Sequence, residues 1–145
     1  MATLGDVLAR KGRQVVSIGP QASVLEATQI MNRQQIGALI VEEEGRVLGM
    51  FTERDVLRRV VAEEKSPSTT RVDDVMTTDV VCGGRETSLE EAAAVMKNRR
   101  IRHLPVCDDD GQLEGLVSIG DLNAWEADGH ETTIRFLSEY IQGRV

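Results

Sequence analysis

The chain states one pattern twice. Gly49-Met50-Phe51-Thr52-Glu53-Arg54-Asp55 returns as Gly115-Leu116-Val117-Ser118-Ile119-Gly120-Asp121, with every position displaced by 66 residues. A shared period this long points to two copies of one folding unit, since both copies must meet the same core and backbone requirements. The match extends upstream. Ser23-Val24-Leu25-Glu26-Ala27 aligns with Ser88-Leu89-Glu90-Glu91-Ala92, Met31 with Met96, and Ile36-Gly37-Ala38-Leu39-Ile40-Val41 with Ile101-Arg102-His103-Leu104-Pro105-Val106, here with an offset of 65. The offset changes between Val41 and Gly45, where Cys107-Asp108-Asp109-Asp110 stands against Glu42-Glu43-Glu44. Length differences belong in surface turns, so the extra residue marks a turn.

A chain of 145 residues can bury one substantial core shared by two half-size repeats. Its net charge of −7 argues against general nucleic-acid binding and against docking on an anionic membrane. Aromatic residues make up only 3% of the chain against 41% hydrophobic residues, so Val, Leu, Ile, Ala and Met must build the core. Cys82 and Cys107 form neither a CxxC motif nor a zinc-ligand spacing; they read as reduced thiols, with a redox switch as the alternative. No run approaches membrane-spanning length and Met1–Asp6 has no targeting pattern, so a cytoplasmic protein is expected.

Each copy reads as strand, helix, strand, strand, helix. Val15-Val16-Ser17-Ile18 before Gly19-Pro20, and Val80-Val81-Cys82 before Gly83-Gly84, are short β-rich runs. Ser23 with Glu26 and Ser88 with Glu91 have capping-box spacing and open helices whose stripes are Val24, Ala27, Met31 and Leu89, Ala92, Met96. Ala38–Val41 and Leu104–Val106 have buried-strand character, and each passes through an acidic turn into a second strand. The carboxylate runs Glu42–Glu44 and Asp108–Asp110 read as solvated turns rather than metal ligands. The expected class is therefore α+β, two pseudo-symmetric β-α-β-β-α repeats packed as one module. Residues 6–61 form the first repeat, 62–71 a polar linker, 72–127 the second repeat, and 128–145 carry a C-terminal helix with Ile134, Leu137 and Ile141 on one face.

Two copies of Gly-apolar-apolar-Thr/Ser-x-x-Asp, each preceded by an apolar strand, resemble a tandem pair of cystathionine-β-synthase (CBS) domains. More narrowly, Phe51-Thr52-Glu53-Arg54-Asp55, Arg102-His103-Leu104-Pro105-Val106 and Ser118-Ile119-Gly120-Asp121 are similar to the small stand-alone bacterial CBS-pair proteins. The Val75-Met76-Thr77 run also resembles the opening of a second repeat. The resemblance implies a non-enzymatic regulatory module. Its ligand would be an adenine nucleotide, AMP first, with ATP or NAD(H) as alternatives, bound in clefts between the repeats, and two modules would pair into a homodimer.

An adenosine phosphate needs an apolar slot, acceptors for the ribose hydroxyls, and donors or positive charge for phosphate. Thr52 and Asp55, three apart at a helix start, fit the ribose, because an ionised carboxylate only accepts and the hydroxyls donate. Ser118 and Asp121 repeat the arrangement, and the exposed amides of a helix N-terminus suit an anion. The same spacing is also an ordinary helix cap, and the two roles are compatible. Lys97, Arg99 and Arg100 read as cations at a helix C-terminus, whereas Arg102 and His103 enter the strand and resemble the family's phosphate-contacting positions. The first copy has Gly37 and Ala38 there, but carries Arg54, Arg58 and Arg59 where the second has Gly120, Ala124 and Trp125. Two unequal clefts follow. The resemblance implies that both repeats contribute to each, so Arg54 is expected to converge with Arg102 or His103 on one phosphate. Ile18, Ala38, Leu39 and Val81 are the choices for the base slot, and each also reads as plain core.

The leading expectation is a ligand-sensing module signalling to an effector protein in trans. The alternative is a constitutive dimerisation or scaffold protein with a vestigial nucleotide site. A catalytic role is not expected, since there is no Walker A loop, GxGxxG, zinc-type cluster or nucleophile elbow.

Overall fold

The helices begin where small hydroxyl side chains can satisfy the first free amides of a helix. Thr3, Ser23, Thr52, Ser88 and Ser118 each accept a bond from the backbone N–H three residues on. The computed structural model describes residues 1–128, so the helix expected around Ile134, Leu137 and Ile141 lies outside the described residues. The first repeat runs α1 (Leu4–Lys11), β1 (Ser17–Ile18), α2 (Val24–Gln34), β2 (Ala38–Glu43), β3 (Arg46–Thr52) and α3 (Glu53–Asp55), which widens into a π-helical stretch, Val56–Val61. The second runs α4 (Val72–Val75), α5 (Leu89–Arg99), β4 (His103–Cys107), β5 (Leu113–Ser118) and α6 (Ile119–Ala127). The α+β class with two repeats is thus observed. Ser88 and Glu91 complete a reciprocal capping box, while Ser23 makes only its forward half, to the Glu26 N–H.

β1, β2 and β3 form one sheet, β1 parallel and β3 antiparallel to β2. The second sheet retains only β4 and β5. The expected strand at Val80–Cys82 is reduced to a single parallel bridge, Gly83 to Val106, with Gly83 N–H donating to the Pro105 carbonyl at 2.8 Å and Cys107 N–H to Gly83 at 2.9 Å. The reason is Pro105. In the first repeat the next rung is Ile40 N–H to the Val16 carbonyl, 3.4 Å. Pro105 occupies the position of Ile40 and has no N–H to give Val81.

The chain's duplication does not coincide with its packing units. Helix α1, which the expected β-α-β-β-α order does not include, fills the core of the second repeat: Leu4, Val7 and Leu8 are buried with Ala92, Met96, Leu104, Val106, Val117 and Leu122. Reciprocally, Val72 and Val75 of α4 complete the first-repeat core with Val24, Ala27, Met31, Leu39, Val41, Phe51 and Val60. Each fully buried aliphatic or aromatic side chain is worth about 1.5–3 kcal/mol, so the exchanged helices are integral to both cores. β2 is apolar on successive positions because both its faces are covered. Leu39 and Val41 face the first core, while Ala38 and Ile40, with Met50, pack against Val80, Leu113 and Leu116 of the second repeat.

The repeated glycine now has a cause. A Cβ at Gly49 would lie 2.6 Å from the Thr77 carbonyl oxygen and 2.9 Å from Met76 Sδ, and one at Gly115 would lie 2.6 Å from Leu8 Cδ2. Both glycines admit a segment exchanged from the other half, the turn after α4 at Gly49 and Leu8 in the middle of α1 at Gly115. At Gly49 the approach is fixed by paired bonds, Met50 N–H to Thr77 O at 2.9 Å and Thr77 N–H to Met50 O at 2.8 Å. Gly49→Ala is therefore expected to destabilise by about 2–3 kcal/mol and Gly115→Ala by less, since a leucine tip can move and a bonded carbonyl cannot. Urea denaturation of both variants tests this, and a larger loss at Gly115 would contradict it.

Candidate ligand-binding cleft

The two Thr/Ser-x-x-Asp motifs fall at equivalent strand-to-helix junctions. Glu53 N–H donates to the Gly37 carbonyl at 3.0 Å and Ile119 N–H to the Arg102 carbonyl at 2.9 Å, tying each helix start to the beginning of the neighbouring strand. Ala38 is consequently the cross-strand partner of Thr52, and His103 that of Ser118. Both motifs form full capping boxes. Thr52 Oγ1 accepts from Asp55 N–H at 3.2 Å while Thr52 N–H donates to Asp55 Oδ2 at 3.0 Å; in the second, Ser118 Oγ accepts from Asp121 N–H at 3.1 Å and Ser118 N–H donates to Asp121 Oδ2 at 2.8 Å.

Beyond the cap the two carboxylates live differently. Asp55 is 4% exposed, and Thr77 Oγ1 donates to its oxygens at 3.1 and 3.3 Å. Arg59 Nε stands 3.7 Å from Oδ1, and its guanidinium also donates to the Met76 carbonyl at 2.8 Å. Asp55 thus joins α3 to the segment that follows α4. Asp121 is less enclosed, its side chain 25% exposed. Its Oδ2 takes Lys11 Nζ at 2.6 Å, and the same ammonium donates to the Leu116 carbonyl at 2.8 Å. Oδ1 of Asp121 receives no hydrogen bond from the described residues. Burial pushes the Asp121 carboxyl upward, but the bonds from Lys11 and from the Ser118 backbone outweigh it and hold the group below its ordinary range.

His103 stands between the two halves electrostatically. Burial, then the charge of Arg102, lowers its pKa, with Lys11 acting the same way; Asp121 of its own repeat and Glu53 of the other oppose them. The balance favours the neutral imidazole. Arg54 and Arg102 are exposed and enter no ion pair among the described residues, so both charges are available to a ligand. Of the base-slot residues, Ile18 and Leu39 belong to the first core, and Ala38 lies on the sheet face toward the second repeat. Val81 packs on the second core and lines a cleft of about 420 Å³ with Thr87, Glu91, Val95, Arg99 and Leu104, which holds none of the junction residues.

Sequence reasoning did not single out Lys11, Arg59 or Thr77 as site residues. A signal for Lys11 existed, because Thr3 with Asp6 ahead of Leu4, Val7 and Leu8 is an amphipathic helix start. No pattern in the chain says which carboxylate that helix's lysine meets. Among the described residues there is no group of His, Cys, Asp and Glu able to hold a metal ion, and no helix long and apolar enough to cross a membrane.

The chain belongs to the CBS-domain family, whose pattern it matches over residues 4–62 and again over 72–128. It is a tandem CBS pair, a module of regulatory type. The CBS domain-containing protein YhcV of Bacillus subtilis is 38% identical over 75% of this chain and 76% of its own length. The structure of the CBS-domain containing protein ATU1752 from Agrobacterium tumefaciens superposes with a TM-score of 0.80 at 36% identity, covering 86% of this chain and 99% of that one. The fold is shared too by PAE2072 from Pyrobaculum aerophilum, solved in complex with AMP, with a TM-score of 0.74 at 23% identity over 82% of this chain and 88% of that one.

The lowered pKa values of Asp121 and His103 set the pH response. A group with a depressed folded-state pKa stabilises above its unfolded value, and that contribution is lost as pH falls through the folded pKa. Thermal stability is expected to decline on acidification, first below about pH 6.5 from His103 and then below about pH 4 from Asp121. His103→Gln should flatten only the upper part of that profile, whereas Lys11→Met should flatten chiefly the lower and act more weakly on the upper, because Lys11 also lowers the His103 pKa. A His103→Gln profile identical to wild type between pH 7 and 5 would contradict the assignment.

Proposed function

We propose that this module senses an adenine nucleotide, AMP before ATP or NAD(H), bound in the cleft between repeats where Asp121 holds the ribose. The observation that carries the reading is the half-used carboxylate of Asp121: Oδ2 is fixed by Ser118 and Lys11, while Oδ1 has no donor among the described residues. Ribose hydroxyls are the donors such an oxygen lacks. Arg102, beside it at the start of the second-repeat hairpin, and Arg54, at the opposite junction, supply positive charge for phosphate, and the positive end of the α6 dipole favours an anion. Family membership and the AMP complex of a protein sharing the fold support the same class of ligand.

Asp55 is read differently. Its carboxylate is consumed by Thr52, Thr77 and Arg59, which supports a structural cap in the first copy and one working cleft. Two modules pair as a homodimer through the exposed apolar residues Leu57 and Val61, 63% and 60% accessible and four apart on one helical stretch. Nucleotide binding shifts the relative stability of repeat orientations, and an effector protein in trans reads the shift. Such a shift requires different affinities for the two states.

Thermal-shift assays and isothermal titration calorimetry with AMP, ATP and NAD(H) test the assignment. At a hundredfold excess over Kd, AMP should add about 2.7 kcal/mol of stability, a rise on the order of 5–10 °C. Asp121→Asn should weaken AMP about 10- to 100-fold with a smaller loss of stability than Asp55→Asn, which should cost about 1–3 kcal/mol of stability and leave affinity nearly unchanged. With one Trp and one Tyr the protein absorbs weakly at 280 nm, so a co-purifying nucleotide would dominate its spectrum. Absence of any nucleotide-dependent stabilisation would favour the scaffold role.

A further inference from the structure

Cys82 and Cys107 lie 25 positions apart in sequence, yet the fold brings them to neighbouring segments. The bridge between Gly83 and Val106 places each cysteine next to a paired residue, and Cys107 N–H donates to the Gly83 carbonyl at 2.9 Å. Both side chains line the same cleft of about 500 Å³, together with Arg46, Leu48 and Asp108. The duplication supplies an independent measure of how these side chains relate. The first-repeat equivalents of Cys82 and Cys107 are Ser17 and Glu42, and Ser17 Oγ donates to Glu42 Oε1 at 3.0 Å. Two positions that are in side-chain contact in one copy thus carry a pair of thiols in the other.

We infer that Cys82 and Cys107 are a reversible disulfide pair, oxidised by hydrogen peroxide, that locks the Val80–Gly83 segment onto β4. Cys82 is exposed and Cys107 half-buried, which orders the steps. The Cys82 thiolate attacks one peroxide oxygen; the O–O bond breaks, Cys82 becomes a sulfenic acid and the departing oxygen leaves as water. Cys107 sulfur then attacks Cys82 sulfur and displaces the hydroxyl, which leaves as a second water with the Cys107 proton. Two thiols are oxidised and one peroxide is reduced to two waters. Burial, reinforced by the hydrogen bond and charge of Cys82, pushes the Cys107 thiol up to about 12, so Cys82 meets the peroxide first, and its conversion to a sulfenic acid removes that charge before Cys107 reacts.

The location gives the bond a consequence. Pro105 denies this segment the rung that Ile40 gives Val16 in the first repeat, so Gly83 carries the backbone pairing alone. A disulfide replaces the missing rung with a covalent one, and exchange with a dithiol, which is itself oxidised to a disulfide, releases it as two thiols.

Treatment of the full chain with hydrogen peroxide, followed by intact mass, thiol titration and peptide mapping under non-reducing conditions, tests the pair. Expected are the loss of two hydrogens, no titratable thiol, a cross-linked peptide joining Cys82 and Cys107, and a melting temperature raised by about 5 °C or more that dithiothreitol restores. Cys107→Ser should leave Cys82 as a sulfenic acid trappable by dimedone, and Cys82→Ser should leave Cys107 unreacted at the same peroxide concentration. Circular dichroism confirms that both variants fold. Retention of both thiols, an intermolecular cross-link, or over-oxidation of Cys82 in the wild-type chain without the internal bridge would each overturn the proposal.

Discussion

The packing of α1 into the second-repeat core, and of α4 into the first, is the contact on which the rest of the molecule depends. Without Val72 and Val75 the sheet face formed by Leu39, Val41 and Phe51 lacks part of its cover, and without Leu4, Val7 and Leu8 the same is true of Leu104, Val106 and Val117. Apolar burial dominates folding energetics, so neither half is a complete core by itself. The exchange also explains features that otherwise read as ligand motifs. Gly49 and Gly115 are small because the exchanged segments lie against them, and Thr77, just after α4, and Lys11, at the end of α1, reach the junction carboxylates from those segments.

One inherited motif serves two different electrostatic roles. At the first junction, Asp55 is sealed from solvent and balanced by Thr77 and Arg59, so its charge is spent on holding two segments together. At the second, Lys11 balances Asp121 through one oxygen and leaves its side chain a quarter exposed. A buried, fully bonded carboxylate gains little from a new partner, while a partly solvated one can exchange water for a ligand hydroxyl at small cost. The asymmetry between copies thus arises from which residue the exchanged helix delivers, a hydroxyl in one case and an ammonium in the other.

Much of this was legible in the sequence where a local rule was involved. Ser88 and Thr52 announced helix starts through their spacing to Glu91 and Asp55, and Ala38–Val41 announced a strand covered on both faces. The acidic turns were visible as well: Glu44 and Gly45 both take positive φ, and Asp108 Oδ1 accepts from the backbone of Asp110 and Gln112 in the longer copy. What stayed hidden was long-range. The strand at Val80–Cys82 failed because Pro105, 25 residues after Val80, withholds a donor, and that partnership is not a property of either segment alone. Likewise the buried state of Asp55 depends on Thr77 and Arg59, which local patterning links to it only after the topology is known.

The exchange of helices also constrains how the chain can be made. A ribosome delivers the polypeptide from the N-terminus, and domains fold as their partners emerge. Leu4, Val7 and Leu8 are synthesised well before Leu104, Val117 and Leu122 but find their neighbours only once those have appeared, and the first repeat cannot close before Val75 does. The apolar stripe of α1 therefore spends most of synthesis without its destination. Contacts this distant in sequence are slow to form, so the nascent chain carries an exposed hydrophobic face for as long as its own second half is missing.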